Sequence, residues 1–290
     1  MAMQDHIRNP LEWAWDHVKQ TGHAVEATAH TMEGTWEDRA SAPPIVRRID
    51  AADIGDALAR GWRDFESCRT DVIFLCLLYP IAGLAISRMA FDYGMLALVF
   101  PMIAGFALVA PLFGVGLYEI SRRREQGLET RWSDAFAVVR SPAIGSIMVM
   151  GLLLLAIFCL WLSAAGFIYT LTLGPDAPVS ATAFARDALT TPAGWTMTIA
   201  GIGVGFLFAL LVLVISVVSF PLLLDRRVGV ATAIATSVRA VAANPGPMAM
   251  WGLIVGASLV IGAIPLLMGL AIVLPVLGHA TWHLYRKVVA

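Results

Sequence analysis

The chain is poor in charge. Only 14% of its 290 residues are Asp, Glu, Lys or Arg, and the net charge is −1, against about one quarter charged in a soluble domain. Bulk electrostatic attraction to nucleic acid is excluded by that balance. Cysteine is scarce as well. Cys68, Cys76 and Cys159 form neither a disulfide framework nor a metal-ligand spacing, and the two within apolar runs, Cys76 and Cys159, read as buried small hydrophobes. Residues 1–71 contain no apolar core of the kind a secretory signal needs. No cleavage is expected, and the first apolar run should itself act as the insertion signal. There is no Walker loop, zinc-protease helix, nucleophile elbow or kinase pattern.

What the chain does have is hydrocarbon. It is 58% hydrophobic, and from Val72 onward long apolar runs alternate with short charged loops. A helix needs about 20 apolar residues to cross about 30 Å of hydrocarbon. Six such spans are expected. The first runs from Val72 to Ser87, ended by Arg88, and the second from Met95 to Ile120. The third runs from Ala143 to Leu173 and the fourth from Gly194 to Leu224. Met248–Tyr285 would be about 57 Å long as one helix. A break near Gly262-Ala263-Ile264-Pro265 divides it into the fifth and sixth spans. With the N-terminus inside, eighteen of the twenty Lys and Arg residues fall on the cytoplasmic side, as the positive-inside rule requires. The expected fold is an all-α polytopic membrane bundle in the bacterial inner membrane, with both termini cytoplasmic.

The second-to-third and fourth-to-fifth connections resemble each other. One reads Arg122-Arg123-Arg124, then Asp134 to Arg140, then Ser141-Pro142; the other reads Asp225-Arg226-Arg227, then Thr232 to Arg239, then Asn244-Pro245. Each is a basic helix end, a short amphipathic helix and a capped restart. Val230, Ile234, Val238 and Val241 make one apolar stripe, suited to lying flat in the interface. Both connections fall on the same side, so the duplication is parallel; inverted halves would favour a transporter.

Three parts are expected along the chain: residues 1–46, a cytoplasmic helix and linker; 47–71, an interfacial amphipathic helix; and 72–290, the membrane domain. Asn9-Pro10-Leu11-Glu12 reads as a helix start. Leu11, Trp15, Val18, Gly22, Val25, Ala29 and Met32 form a heptad-like seam, which fits a partner helix, with the bilayer surface and a mobile tail as the alternatives. Asp50 should cap the second helix, whose apolar stripe is Ile54, Leu58, Trp62 and Phe65.

Candidates for chemistry are few. His279 and His283 share a helix face, but two ligands make no metal site, and beside Trp282 and Tyr285 they read as interfacial anchors. Glu119 should pair with the arginines after it, and no charged residue lies deep within a run. Most of the hydroxyls in the spans, those of Ser163, Thr170, Thr172, Thr196, Thr198, Ser216, Ser219 and Ser258, should bond their own helix backbone. Gly201-Ile202-Gly203-Val204-Gly205 follows no strand, and with Gly252 and Gly256 it reads as helix packing. Six prolines interrupt the spans and should kink them. No catalytic residue, cofactor-binding residue or metal ligand is assigned, and no cofactor is expected.

Cys68-Arg69-Thr70-Asp71, Tyr79-Pro80, Gly116-Leu117-Tyr118-Glu119, Trp132-Ser133-Asp134-Ala135, Phe220-Pro221-Leu222-Leu223, Asn244-Pro245-Gly246-Pro247 and Gly278-His279-Ala280-Thr281-Trp282-His283 carry a resemblance. From about Pro44 to the C-terminus the chain resembles the bacterial membrane-protein family of unknown function numbered 2189. No established activity comes with that resemblance. Members are sometimes labelled cytochrome c oxidase subunit I, but a haem–copper centre needs several histidines within spans, and only the terminal pair is present. The expectation is a non-enzymatic accessory or assembly component of a membrane complex. The expected partners are the lipid bilayer, a complex partner held through the N-terminal helix, and a second copy of the chain. The alternative is a small permease or lipid-handling protein.

Overall fold

The computed structural model describes residues 44–92, 95–265 and 267–290. The expected helix and seam between Asn9 and Met32 lie outside the described residues. Pro44–Ala290 forms one compact unit. Among the described residues it is built of helices, with a single antiparallel bridge between Val46 and Val289.

Helix α1 spans Ala51–Asp92. Its start is a reciprocal cap: the Asp53 amide donates to Asp50 Oδ1 (3.0 Å), and the Asp50 amide donates to Asp53 Oδ2 (3.1 Å). The expected interfacial helix and first span are thus one continuous rod, and it passes Arg88 without ending. Its buried face also differs from the expected stripe. Ile54, Ala57, Gly61, Asp64 and Phe65 are buried, whereas Trp62 is exposed. Small residues win because α1 crosses helix α10 (Leu270–Val288) almost in backbone contact. A Cβ added at Gly61 would meet the Ala280 amide nitrogen at 2.6 Å.

A short 3-10 turn leads into α2 (Val99–Phe113), which is interrupted at Gly114 and resumes as α3 (Val115–Glu125). A 3-10 run at Trp132–Arg140 precedes α4 (Ile144–Thr172). Helix α5 (Ala181–Thr190) was not anticipated; it is capped by Ser180, whose Oγ accepts from the Ala183 amide. Then come α6 (Pro192–Ser216), α7 (Ser219–Asp225), α8 (Val230–Ala243) and α9 (Pro245–Ala263).

Four stretches are long and apolar enough to cross a membrane: Leu96–Glu125, Ile144–Thr172, Pro192–Asp225 and Pro245–Ala263. They match the second to fifth expected spans. The first falls in the part of α1 where the side chains of residues 68–80 lie outside the description. The turn after α9 lies where the break was expected, and Leu267 there takes a positive φ of 68°. Helix α10 is not among the four, since His279, His283, Arg286 and Lys287 occupy its second half.

The two connections are alike in outline and different in detail. The first helix is 3-10 and the second α. In α8 the buried face is Val230, Ala233, Thr236, Ser237 and Ala240. Val238, expected on the apolar stripe, is exposed, because the close neighbours α6 and α7 favour small side chains. Pro221 has no N–H to give to the carbonyl of Val217, and the span breaks there into α6 and α7. Ser237 of α8 repairs the break. Its hydroxyl donates to the Val214 carbonyl (2.8 Å) and accepts from the Val218 amide (3.4 Å). Asn244 precedes Pro245 as expected, yet its side chain does not cap α9. It accepts from the Ile49 amide (2.8 Å) and donates to the Arg47 carbonyl (3.0 Å), so it clamps the segment leading into α1.

Between the ends the bundle is held by apolar packing. Trp161 on α4 is buried against Phe208 of α6 and lies beside Gly105 and Gly205, and its indole N–H donates to the Pro101 carbonyl (2.8 Å). Of the expected glycine packing sites, Gly205 and Gly252 are in close contact, with Trp161 and Leu213, while Gly201 and Gly256 face open space. The hydroxyls of Ser163, Thr170, Thr172, Thr196 and Thr198 donate to carbonyls one turn back on their own helices, as expected; that of Ser219 on α7 donates across the break to the Ile215 carbonyl of α6 (2.6 Å). Leu152, Leu160 and Phe167 of α4 and Ile199, Ile202 and Phe206 of α6 are more than 60% exposed. Cys159 also lies on the exposed face, contrary to its reading as a buried hydrophobe. Such a surface would be an aggregation hazard in water, and it matches hydrocarbon.

Candidate functional site

The polar groups of the bundle gather at one end, called here the basic end, where α1, α3, α7 and α10 meet. Asp64 of α1 is at its centre and is buried. Its Oδ2 accepts from the Ser121 hydroxyl of α3 (2.6 Å) and from His283 Nε2 of α10 (2.8 Å), and its Oδ1 accepts from Arg124 Nε (3.0 Å). Arg124 also donates to the Ser67 hydroxyl. His279 of α10, with no exposed surface, lies 2.8 Å from Ser121 Oγ through its Nδ1.

Helical spacing builds this cluster. His279 and His283 are one turn apart on α10, and Ser121 and Arg124 are three apart on α3, so each pair shares a face. The docking of α10 against α1 and α3 then brings three separated segments to one carboxylate. Burial alone would raise the Asp64 carboxyl, but the hydrogen bonds from His283 and Ser121, with the charge of His283, hold it below the ordinary carboxylate range.

A second layer surrounds the first. Glu119 is 3% exposed and accepts from Arg122 (2.8 Å) and Arg123 (2.8 Å), as its position in the sequence suggested. Arg123 also reaches Asp134 of the 3-10 run (2.9 Å). The indole N–H of Trp282 donates to Glu125 (3.1 Å), and the Tyr285 hydroxyl donates to Asp225 (2.6 Å). Arg286 bridges Glu125 (3.1 Å) and Asp225 (3.5 Å). Lys287 pairs with Asp53 (2.9 Å) and Asp56 (3.0 Å) of α1.

The histidines are therefore not interfacial anchors. Trp282 and Tyr285, expected beside them at the membrane surface, are also fully buried. This whole face of α10 is turned inward because α1 and α3 present carboxylates to it. Among the described residues no group of three or more His, Cys, Asp and Glu side chains is placed to hold a metal ion.

A serine, a histidine and an aspartate in one cluster invite comparison with a hydrolase triad. In a triad the histidine accepts the serine proton and the carboxylate orients the histidine. Here the order is different. The single Ser121 proton is directed at Asp64, so His279 must donate through Nδ1 to the Ser121 oxygen. That tautomer leaves His279 Nε2 as a buried lone pair without a hydrogen-bond partner. The serine oxygen is occupied and the carboxylate is neutralised by Arg124. The geometry cross-links three helices.

The first connection and most of three of the four apolar stretches fall within a segment that matches a known family. Residues 99–225 match the model of predicted integral membrane proteins designated DUF2189. Over this segment, less than half of the chain, the protein is similar to that family. The match covers Gly116-Leu117-Tyr118-Glu119, Trp132-Ser133-Asp134-Ala135 and Phe220-Pro221-Leu222-Leu223, and the other stretches that carried the resemblance fall outside it. Within the family segment lie Ser121, Arg124, Glu119 and Asp225; Asp64, His279 and His283 lie beyond its ends. No curated protein and no solved structure matches the chain.

Sequence reasoning found Glu119 and its arginines because they are three and four residues apart. It missed Asp64, whose partners are 57 to 219 residues away. The one available signal was the interruption of the α1 apolar stripe by an acidic residue beside Phe65.

Proposed function

We propose that this integral membrane protein is a non-enzymatic accessory or assembly component of a membrane complex. It sits in the bacterial inner membrane with the basic end and both termini in the cytoplasm, as the arginine distribution favours. One observation carries the functional reading. The groups that a substrate would need, namely Arg122, Arg123, Arg124, His283 and Ser121, are engaged by carboxylates of the chain itself. What remains free is apolar surface on α4 and α6. A rigid, closed basic end with apolar flanks suits packing against another membrane protein.

The test is purification of the chain at native level in mild detergent, with mass spectrometry of the material that accompanies it. A stoichiometric membrane-protein partner is the expected result. Deletion of residues 1–40 should release that partner and leave the melting of the membrane part unchanged. A protein that purifies alone and supports solute or lipid flux in liposomes would overturn the reading in favour of the permease or lipid-handling alternative.

A further inference from the structure

Beside the basic end, α2, α3, α9 and α10 enclose a cavity of about 110 Å³. Its inner end is closed by Tyr118, which is buried, and Thr281. Its outer end is formed by half-buried Ala107, Ala110, Leu259 and Leu274. Ala107 and Ala110 lie well inside the apolar stretch Leu96–Glu125, and Leu259 lies near the far end of Pro245–Ala263. The mouth is therefore at hydrocarbon depth. Two helices that the sequence places in different repeats form its opposite walls.

We propose that this slot binds the acyl chain of a bilayer phospholipid. The side-chain hydroxyls that line it are already engaged within the protein, and most of its surface is apolar. The Thr281 hydroxyl donates to the Leu277 carbonyl (2.6 Å), and the Tyr118 hydroxyl is bonded to Thr281. A water needs two to four polar partners, and apolar cavities of this order, about 150 Å³, stay dry and take up hydrocarbon. The medium at the mouth is itself hydrocarbon, and alkyl chains are its most abundant component. An empty slot would forfeit the dispersion contacts of its lining; a chain end entering between Ala107 and Leu274 restores them. This site is independent of the accessory role proposed above, since a protein with or without a partner meets the same bilayer.

The test uses the full chain in nanodiscs that contain a phospholipid with a diazirine on its acyl chain. After irradiation the labelled residues are mapped by mass spectrometry. Labelling of the cavity walls on α2, α9 and α10 above that of Ile202, on the exposed face of α6, is expected. Ala110→Leu, which fills the mouth, should abolish the wall label and leave the Ile202 label unchanged. Wall labelling no stronger than at Ile202 in the unaltered protein would overturn the proposal, whether or not the variant folds. Equal wall labelling in a folded Ala110→Leu protein would also overturn it.

Discussion

The basic end and the apolar middle of this bundle are held by opposite means. At the basic end, α1, α3, α7 and α10 are joined by buried and half-buried hydrogen bonds and ion pairs to Asp64, Glu125 and Asp225. In the middle, α4 and α6 meet through Trp161, Phe208 and Gly205, and their outer faces are left to the surroundings. Burial of apolar surface cannot hold helices together where the surroundings are equally apolar. Directional bonds can, and they are strongest where water is excluded. The molecule concentrates its specific contacts at one end and relies on shape elsewhere.

The sharpest way to break the contrast is Asp64→Ala. It leaves Arg124, His283 and Ser121 without their acceptor in a buried setting, and a loss of about 3–5 kcal/mol is expected in reversible unfolding. Asp64→Asn should cost less, since its amide oxygen still accepts. If Asp64→Ala melts like the parent, the basic end is not the stronger half. Ser237→Ala comes next. It removes the bridge across the α6–α7 break, exposing the Val214 carbonyl and Val218 amide to an apolar setting, and about 1–3 kcal/mol should be lost by the same assay.

A pH series separates the inner and outer layers. Hydrogen bonds from Lys287 hold Asp53 and Asp56 below their usual 3.8, and those two carboxylates hold Lys287 above its usual 10.5. Their contribution is full between these values. It fades as pH falls through the lowered carboxylate values, and again as pH rises through the raised lysine value. These side chains are about one quarter to one third exposed, so Lys287→Met should cost under about 1 kcal/mol near neutral pH. Asp64, also lowered, loses its contribution as pH falls through its own lowered value. The smallest effect belongs to the middle: Ile202→Ala, on the exposed face of α6, should change detergent stability by less than about 0.5 kcal/mol.

This contrast also marks what the sequence can disclose. The four apolar helices were legible because a bilayer demands long runs without charge, and the turn after α9 because Gly262 and Pro265 resist continuation. The break at Pro221, the Asp50 cap and the Glu119 pairs follow from local spacing. The Asp64 cluster was hidden because its bonds join residues far apart in the chain, and no periodicity records them. The faces of α1 and α8 were misjudged for a related reason. Bulky residues such as Trp62 and Val238 draw attention, yet close helix contacts select alanine, glycine and serine, and only the partner helix reveals that choice.

Helix α10 meets α1 across a sequence separation of 219 residues, from His283 back to Asp64. That distance sets a timetable for biosynthesis. Ser121 and Arg124 follow Asp64 by 57 and 60 residues and His283 by 219, so His283 is the last of its partners to be made. Loops of this length close at a substantial entropic cost. The contact from His283 to Asp64 therefore forms only after the 218 residues between them have been made.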